Sequence, residues 1–146
     1  MKQKVVLAFS GGLDTSFCVP YLIHERGLEV HTVIVNTGGF SNEEAQRIEE
    51  RALTLGAASH TCIDAVDDYY TRGIRYLIFG NVLKNNTYPL SVSSERFFQA
   101  MAVLDHVKKT GADFVAHGST GAGNDQVRFD LVFEVLAPQV KIIAPI

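Results

Sequence analysis

The sequence lacks a surplus of positive charge, a cluster of metal-ligand residues and a long apolar run, and each absence narrows what the chain can do. Thirteen lysines and arginines face sixteen aspartates and glutamates, for a formal charge of −3, and the basic residues are dispersed. Without a basic patch there is no electrostatic footprint for DNA or RNA, so nucleic acid is not expected as a partner. The two cysteines, Cys18 and Cys62, form no CxxC pair, and the histidines at 24, 31, 60, 106 and 117 are scattered. That disfavours a zinc centre or a disulfide framework and points to buried free thiols in a reducing compartment. The apolar stretch Val5 to Phe9 is too short for a secretory leader and runs straight into Gly11-Gly12 and Asp14, while no window reaches the length of a membrane span. A cytoplasmic protein with no membrane contact is the expectation.

What is present suits one globular domain: 146 residues, 47% hydrophobic and 20% charged, with no internal repeat or low-complexity linker. Short runs rich in β-branched residues recur at Lys4 to Phe9, Val30 to Val35, Ser59 to Ile63, Phe114 to His117 and Val140 to Ala144, which read as five strands. Helical periodicity fills the intervals Thr15 to Arg26, Ser41 to Leu55, Val66 to Phe79, Ser93 to Thr110 and Asn124 to Val135. The clearest helix carries one apolar stripe, Ala45, Ile48, Ala52 and Leu55, behind a Ser41/Glu44 capping box and before a stop at Gly56. Pro20 predicts a bend or loosened turn, since it deletes an intrahelical bond. Gly80 to Val92 reads as the one long irregular segment. Strands alternating with helices predict an α/β fold, a doubly wound parallel five-stranded sheet with helices on both faces.

In such sheets ligands bind beyond the carboxyl ends of the strands, where the winding reverses. Reversal after the third strand would make strands one and four neighbours, with two loops rich in glycine and hydroxyls facing one crevice: Ser10 to Ser16 (SGGLDTS) and His117 to Phe129 (HGSTGAGNDQVRF). Alone, the first is more often a tight turn than an anion cradle; with the second loop opposite, the phosphate reading takes precedence. No lysine stands at Walker spacing, and no GxGxxG follows the first strand. Phosphate charge would then fall to backbone amides, hydroxyls and a magnesium ion that Asp14 could help to hold through water. Plainer roles compete at each position: Asn124 and Asp125 as a helix cap, Arg128 as a surface ion pair, Tyr88 as loop packing and His117 as a structural histidine.

The six residues from Ser10 resemble the PP-loop, Ser-Gly-Gly-x-Asp-[Ser/Thr], of ATP pyrophosphatases. Joined with Tyr88-Pro89-Leu90 and the stretch Ala116 to Phe129, they resemble the N-terminal nucleotide-binding domain of the argininosuccinate synthases, in order and over the whole chain. The resemblance implies an adenine nucleotide alpha hydrolase-like fold, with residues 1–146 as an ATP-binding domain and a larger C-terminal synthetase and oligomerisation domain outside this chain. It further implies a ligase of arginine biosynthesis that uses ATP and Mg2+. The ureido oxygen of citrulline is adenylated, pyrophosphate leaves, and aspartate displaces AMP to give argininosuccinate.

By the same resemblance Ala8, Phe9, Ser10, Gly11, Gly12, Leu13, Asp14, Thr15 and Ser16, with Val35 and Gly118, would hold ATP. Thr120, Asn124 and Asp125 would hold aspartate; Tyr88, Ser93, Asn124 and Arg128 would hold citrulline. Asp14 and Asp125 are the catalytic candidates. A homo-oligomer is implied for the full-length protein and inactivity for the domain alone. Two stretches depart from the commoner pattern: Asn36-Thr37-Gly38-Gly39 stands where many members have Asp-Leu-Gly-Gln, and Ser91 to Arg96 (SVSSER) replaces Gly-Thr-x-x-Ala-Arg-Pro. Another PP-loop pyrophosphatase and a non-catalytic nucleotide-binding module are the alternatives.

Overall fold

The computed structural model describes residues 2–121 and 123–146. In chain order it contains β1 (Lys4–Ala8), α1 (Leu13–His24), β2 (Glu29–Asn36), α2 (Asn42–Thr54), β3 (Ser59–Asp64), α3 (Val66–Tyr69), a π-helical segment Tyr70–Ile74 and α4 (Arg75–Phe79). The short strands β4 (Leu83–Lys84) and β5 (Tyr88–Pro89) follow, then α5 (Ser91–Thr110), β6 (Phe114–His117), α6 (Asn124–Leu136) and β7 (Lys141–Ile143). The main sheet has the order β3-β2-β1-β6-β7 with every pair parallel. All five expected strands are therefore present, and the winding reverses between β1 and β6 as expected.

β1 shows why the apolar runs are unbroken. Val5 and Leu7 pack on Cys18, Val19 and Leu22 of α1, while Val6 packs with Val103 and Leu104 of α5 and Phe133 of α6. A central parallel strand is covered on both faces, so its sequence does not alternate. Each of these side chains, fully removed from water, stabilises the fold by about 1.5–3 kcal/mol. The α2 capping box is present: Ser41 N–H donates to Glu44 Oε2 at 2.8 Å and Glu44 N–H to Ser41 Oγ at 3.3 Å.

α1 is assigned as one helix, Leu13–His24, with Pro20 inside it and Cys18, Val19 and Leu22 around it fully buried. Two expectations need correction. The expected helix Val66 to Phe79 is divided by its π-helical segment, where Gly73 passes Phe98 so closely that a Cβ would lie 2.9 Å from Phe98 Cε2. Gly80 to Val92 is not irregular throughout. β4 and β5 pair in an antiparallel hairpin around Asn85 and Asn86, at φ 53° and 54°, values that asparagine tolerates better than most residues. Ser91 and Val92 already belong to α5. Among the described residues no helix is long and apolar enough to cross a membrane.

Candidate functional site

β1 delivers the chain to the first loop, and Phe9 N–H still bonds Val33 O at 2.8 Å before the turn begins. The turn is braced from within. Thr15 Oγ1 accepts from Ser10 N–H and donates to Gly12 O, each at 3.3 Å, and Gly12 N–H reaches Ser10 Oγ at 3.3 Å. Gly11 sits at φ +75°, a conformation glycine adopts without strain. Gly12 is the N-cap of α1 and brings no side-chain cap. The first-turn amides, which have no intrahelical acceptor, are thus left for an anion.

β6 lies beside β1, with His117 opposite Ala8, and begins the second loop. His117 is buried; its Nδ1 accepts from Ser119 N–H at 3.2 Å, which leaves the proton on Nε2 to donate to Asp130 Oδ1 at 2.9 Å. The structural reading of this histidine holds. Gly118 then touches the first loop: a Cβ there would lie 2.9 Å from Thr15 Cγ2 and 3.2 Å from Thr15 N. The two glycine loops meet in van der Waals contact.

Together they open a cleft. A cavity of about 700 Å3 is lined by Ala8, Phe9, Ser10, Gly11, Thr15 and Val35, with Gly118 and Asp125 on its far side. A second, of about 480 Å3, is lined by Asp14, Thr120, Asn124 and Arg128, and shares Gly118, Ser119 and Asp125 with the first. Gly12 and Ser16 lie in the same braced turn; Ser16 Oγ is buried with no protein partner. Leu13 faces solvent, 86% exposed. Tyr88 is not brought to either cavity: it is half-exposed on β5, with Lys84 Nζ 5.9 Å from its ring centroid.

At the junction of the cavities, Asp125 is held between two arginines. Arg96 Nε donates to Oδ2 at 3.1 Å and Arg128 Nη1 to Oδ1 at 2.6 Å, while Arg128 Nη2 reaches Ser93 Oγ at 3.2 Å. Gly123, not Asn124 or Asp125, is the N-cap of α6, without a side-chain bond, so the capping reading is corrected: the carboxylate has stronger, charge-assisted partners. Arg128 does form an ion pair, but inside the cleft and only 19% exposed. Arg96 also donates to Gln99 Oε1 at 2.8 Å, and Glu95 accepts from Thr37 Oγ1 at 2.5 Å, which ties the departing segments Asn36 to Gly39 and Ser91 to Arg96 together.

Sequence reasoning missed the arginines. Arg47 and Arg51 of α2 and Arg96 of α5 line the larger cavity. The available signal was the i,i+4 spacing of Arg47 and Arg51 on either side of Ile48, a member of the apolar stripe. The cleft therefore has first-turn amides and three guanidinium groups on its wall, of which Arg96 is already paired with Asp125 and Arg51 is bonded to the Gly11 carbonyl. Among the described residues no group of three or more metal ligands occurs. Mg2+ is usually held by one or two carboxylates plus phosphate oxygens and waters, and Asp14 fits that modest share.

A family model described as "Arginosuccinate synthase N-terminal HUP domain" matches residues 4–146. The chain belongs to the argininosuccinate synthase family. It is 47% identical over 144 residues to the argininosuccinate synthase of Xanthomonas axonopodis pv. citri, covering 99% of this chain and 34% of that one. With the argininosuccinate synthase of Saccharolobus solfataricus it is 47% identical over 143 residues, 98% of this chain and 36% of the relative. The chain thus spans about a third of the length of these relatives. Two solved structures share the fold. The NMN synthetase from Francisella tularensis has a TM-score of 0.61 at 13% identity, covering 82% of this chain and 46% of that one. A predicted subunit of tRNA methyltransferase from Methanocaldococcus jannaschii has a TM-score of 0.60 at 19% identity, covering 98% and 67%. Family membership aligns the chain with the N-terminal HUP domain of argininosuccinate synthases, and the PP-loop resemblance of Ser10 to Ser16 is consistent with it.

Proposed function

We propose that this chain binds MgATP at the Ser10–Ser16 loop and citrulline and aspartate along the second loop, as the nucleotide-binding part of an enzyme that makes argininosuccinate. The observation that carries the reading is the seat of Gly118 on Thr15, which joins a phosphate end and an amino-acid end in one cleft. A ureido carbon is a poor electrophile, and transfer of AMP to its oxygen turns that oxygen into a leaving group. Amides of α1 and the Arg47 guanidinium would meet charge developing on the departing pyrophosphate, the preorganised electrostatics that usually carry most of such a barrier. A bound magnesium ion would supply further neutralisation on the phosphates.

On the amino-acid side, Asp125 would take the ammonium group of aspartate, with Thr120 and Asn124 for its carboxylate. Arg128 suits a bidentate grip on the α-carboxylate of citrulline. It would exchange one carboxylate partner, Asp125, for another, so no buried cation is left bare. Ser93 stands within reach of the same guanidinium. Tyr88 is assigned to citrulline by family resemblance alone. We assign the complete reaction, the homo-oligomer and the cytoplasmic location to a protein of the relatives' full length, and to the 146 residues alone binding without turnover. Two free thiols support the cytoplasmic placement, although only Cys18 is buried as expected and Cys62 is exposed.

The test is pyrophosphate release by a protein of the relatives' length, with calorimetric titration of MgATP, citrulline and aspartate into the 146-residue chain. Release only when citrulline is present supports the reading. Release without any amino acid would favour another pyrophosphatase, and ATP binding with no amino-acid response in either protein would favour a simple nucleotide-binding module.

A further inference from the structure

Arg51 lies outside both glycine loops, on the third turn of α2, yet its Nη1 donates to the carbonyl oxygen of Gly11 at 2.6 Å. The same helix closes on that residue from a second direction, since a Cβ on Gly11 would meet Ile48 Cγ1 at 3.1 Å. α2 itself is fixed by its capping box and by Ala52, which is fully buried against the α1 face of the sheet. A trans peptide unit points its C=O and its N–H in opposite directions. Pinning the Gly11 carbonyl to α2 therefore turns the Gly12 N–H away from α2, toward Ser10 Oγ at 3.3 Å and the interior of the loop. Glycine on both sides of that peptide leaves it free to flip unless something holds it.

We propose that Arg51 is a positioning residue: it orients the Gly11–Gly12 peptide so that the loop presents an N–H to the phosphates before ligand arrives. This rests on the MgATP reading of the loop, and it deepens that reading by naming what keeps the cradle formed. Arg47, which lines the same cavity, bonds no loop atom among the described contacts and serves as the comparison.

The experiment uses the 146-residue chain with Arg51→Met, Arg51→Lys and Arg47→Met. In the absence of ligand, the Gly12 amide resonance is expected to move in R51M and to stay near its wild-type position in R51K and R47M, since one N–H donor suffices for the bond. The Kd for MgATP is expected to rise about tenfold in R51M, the lower range for a charge-assisted hydrogen bond at an exposed site, with adenosine affinity unchanged. An unmoved Gly12 resonance in R51M overturns the proposal, whether or not ATP binding weakens, because weakening alone would make Arg51 a direct phosphate contact. An R51K chain as altered as R51M overturns it too. A wild-type chain that takes up no MgATP would sink the nucleotide reading, while the ligand-free Gly12 resonance still reads the clamp.

Discussion

Gly118→Ala is the sharpest perturbation of the join between the two loops. Gly118 is outside the positive-φ region, so alanine brings no backbone strain there, and the effect comes from the added methyl meeting Thr15, with Cγ2 at 2.9 Å and the backbone nitrogen at 3.2 Å. Thr15 cannot turn aside, because its hydroxyl is held by Ser10 and Gly12 and the residue is buried. Overpacking of this kind costs about 1–3 kcal/mol. Thr15→Ser keeps the hydroxyl and deletes the offending carbon, at about 0.8 kcal/mol for the buried methyl. If the two residues touch as described, the second change relieves the first. G118A/T15S should then be more stable than G118A by about 1 kcal/mol where T15S alone costs about 0.8, a coupling of about 1.8 kcal/mol and within the range for residues in contact. The assay is urea unfolding of the four chains, with MgATP affinity following the same order. Gly39→Ala, with nothing within 4 Å and no positive φ, is the control expected to stay within about 0.5 kcal/mol of wild type. Should T15S lower stability as much in the G118A background as in the wild type, the loops are not in contact and the shared cleft is refuted.

Other consequences are as direct. Asp125→Ala is expected to raise the aspartate requirement in a protein of the relatives' length more than about tenfold, by loss of a charged partner, while sparing ATP affinity; equal loss of both, in steady-state kinetics, would mean a collapsed loop. Burial holds the imidazoles of His60 and His106 below their ordinary value of 6.5, so the unfolded chain takes up protons first as pH falls. Their contribution to stability is full above pH 6.5 and is lost as pH drops through the folded values; denaturant midpoints that rise on acidification in that window, or that H60Q and H106Q leave unflattened, would contradict this. Burial, with the Asp14 carboxylate adding to it, pushes the Cys18 thiol up to about 11, whereas Cys62 is exposed. Iodoacetamide should therefore label Cys62 slowly in the native chain and Cys18 only after unfolding, and prompt labelling of both, read by mass spectrometry, would count against the buried placement.

The parts of this protein that could be read in advance are those whose cause is local. β1 declares itself because both of its faces are buried, and the Gly11-Gly12 turn because only certain residues accept its backbone. The hairpin was legible too, in Asn85-Asn86, but strands of two residues carry no periodicity to support it. The π-helical segment was not: Gly73 within it lies against Phe98, a contact that neither stretch encodes alone. The competing cap role of Asn124 and Asp125 fails for a related reason: local propensity favours the cap, but Arg96 and Arg128 hold the Asp125 carboxylate once the fold brings them near.

The arginines extend that reasoning to the site itself. A glycine loop without a Walker lysine holds no cation of its own, and its phosphate chemistry looked dependent on amides and metal. Arg47 and Arg51 come from α2, whose Ile48 and Ala52 pack on the α1 face of the sheet, whereas Arg96 comes from α5, whose Ala100 and Val103 pack on the opposite face. Positive charge thus reaches the cleft from both layers of the doubly wound fold, around the point where the winding reverses. Net charge could not reveal it, because the chain is acidic overall and Arg96 is far in sequence from Arg47 and Arg51. The proposed anion site would therefore form only in the assembled sheet. Neither loop excised as a peptide should bind pyrophosphate, whereas the folded chain should, and competent binding by the isolated Ser10–Ser16 loop would show that the arginines contribute nothing.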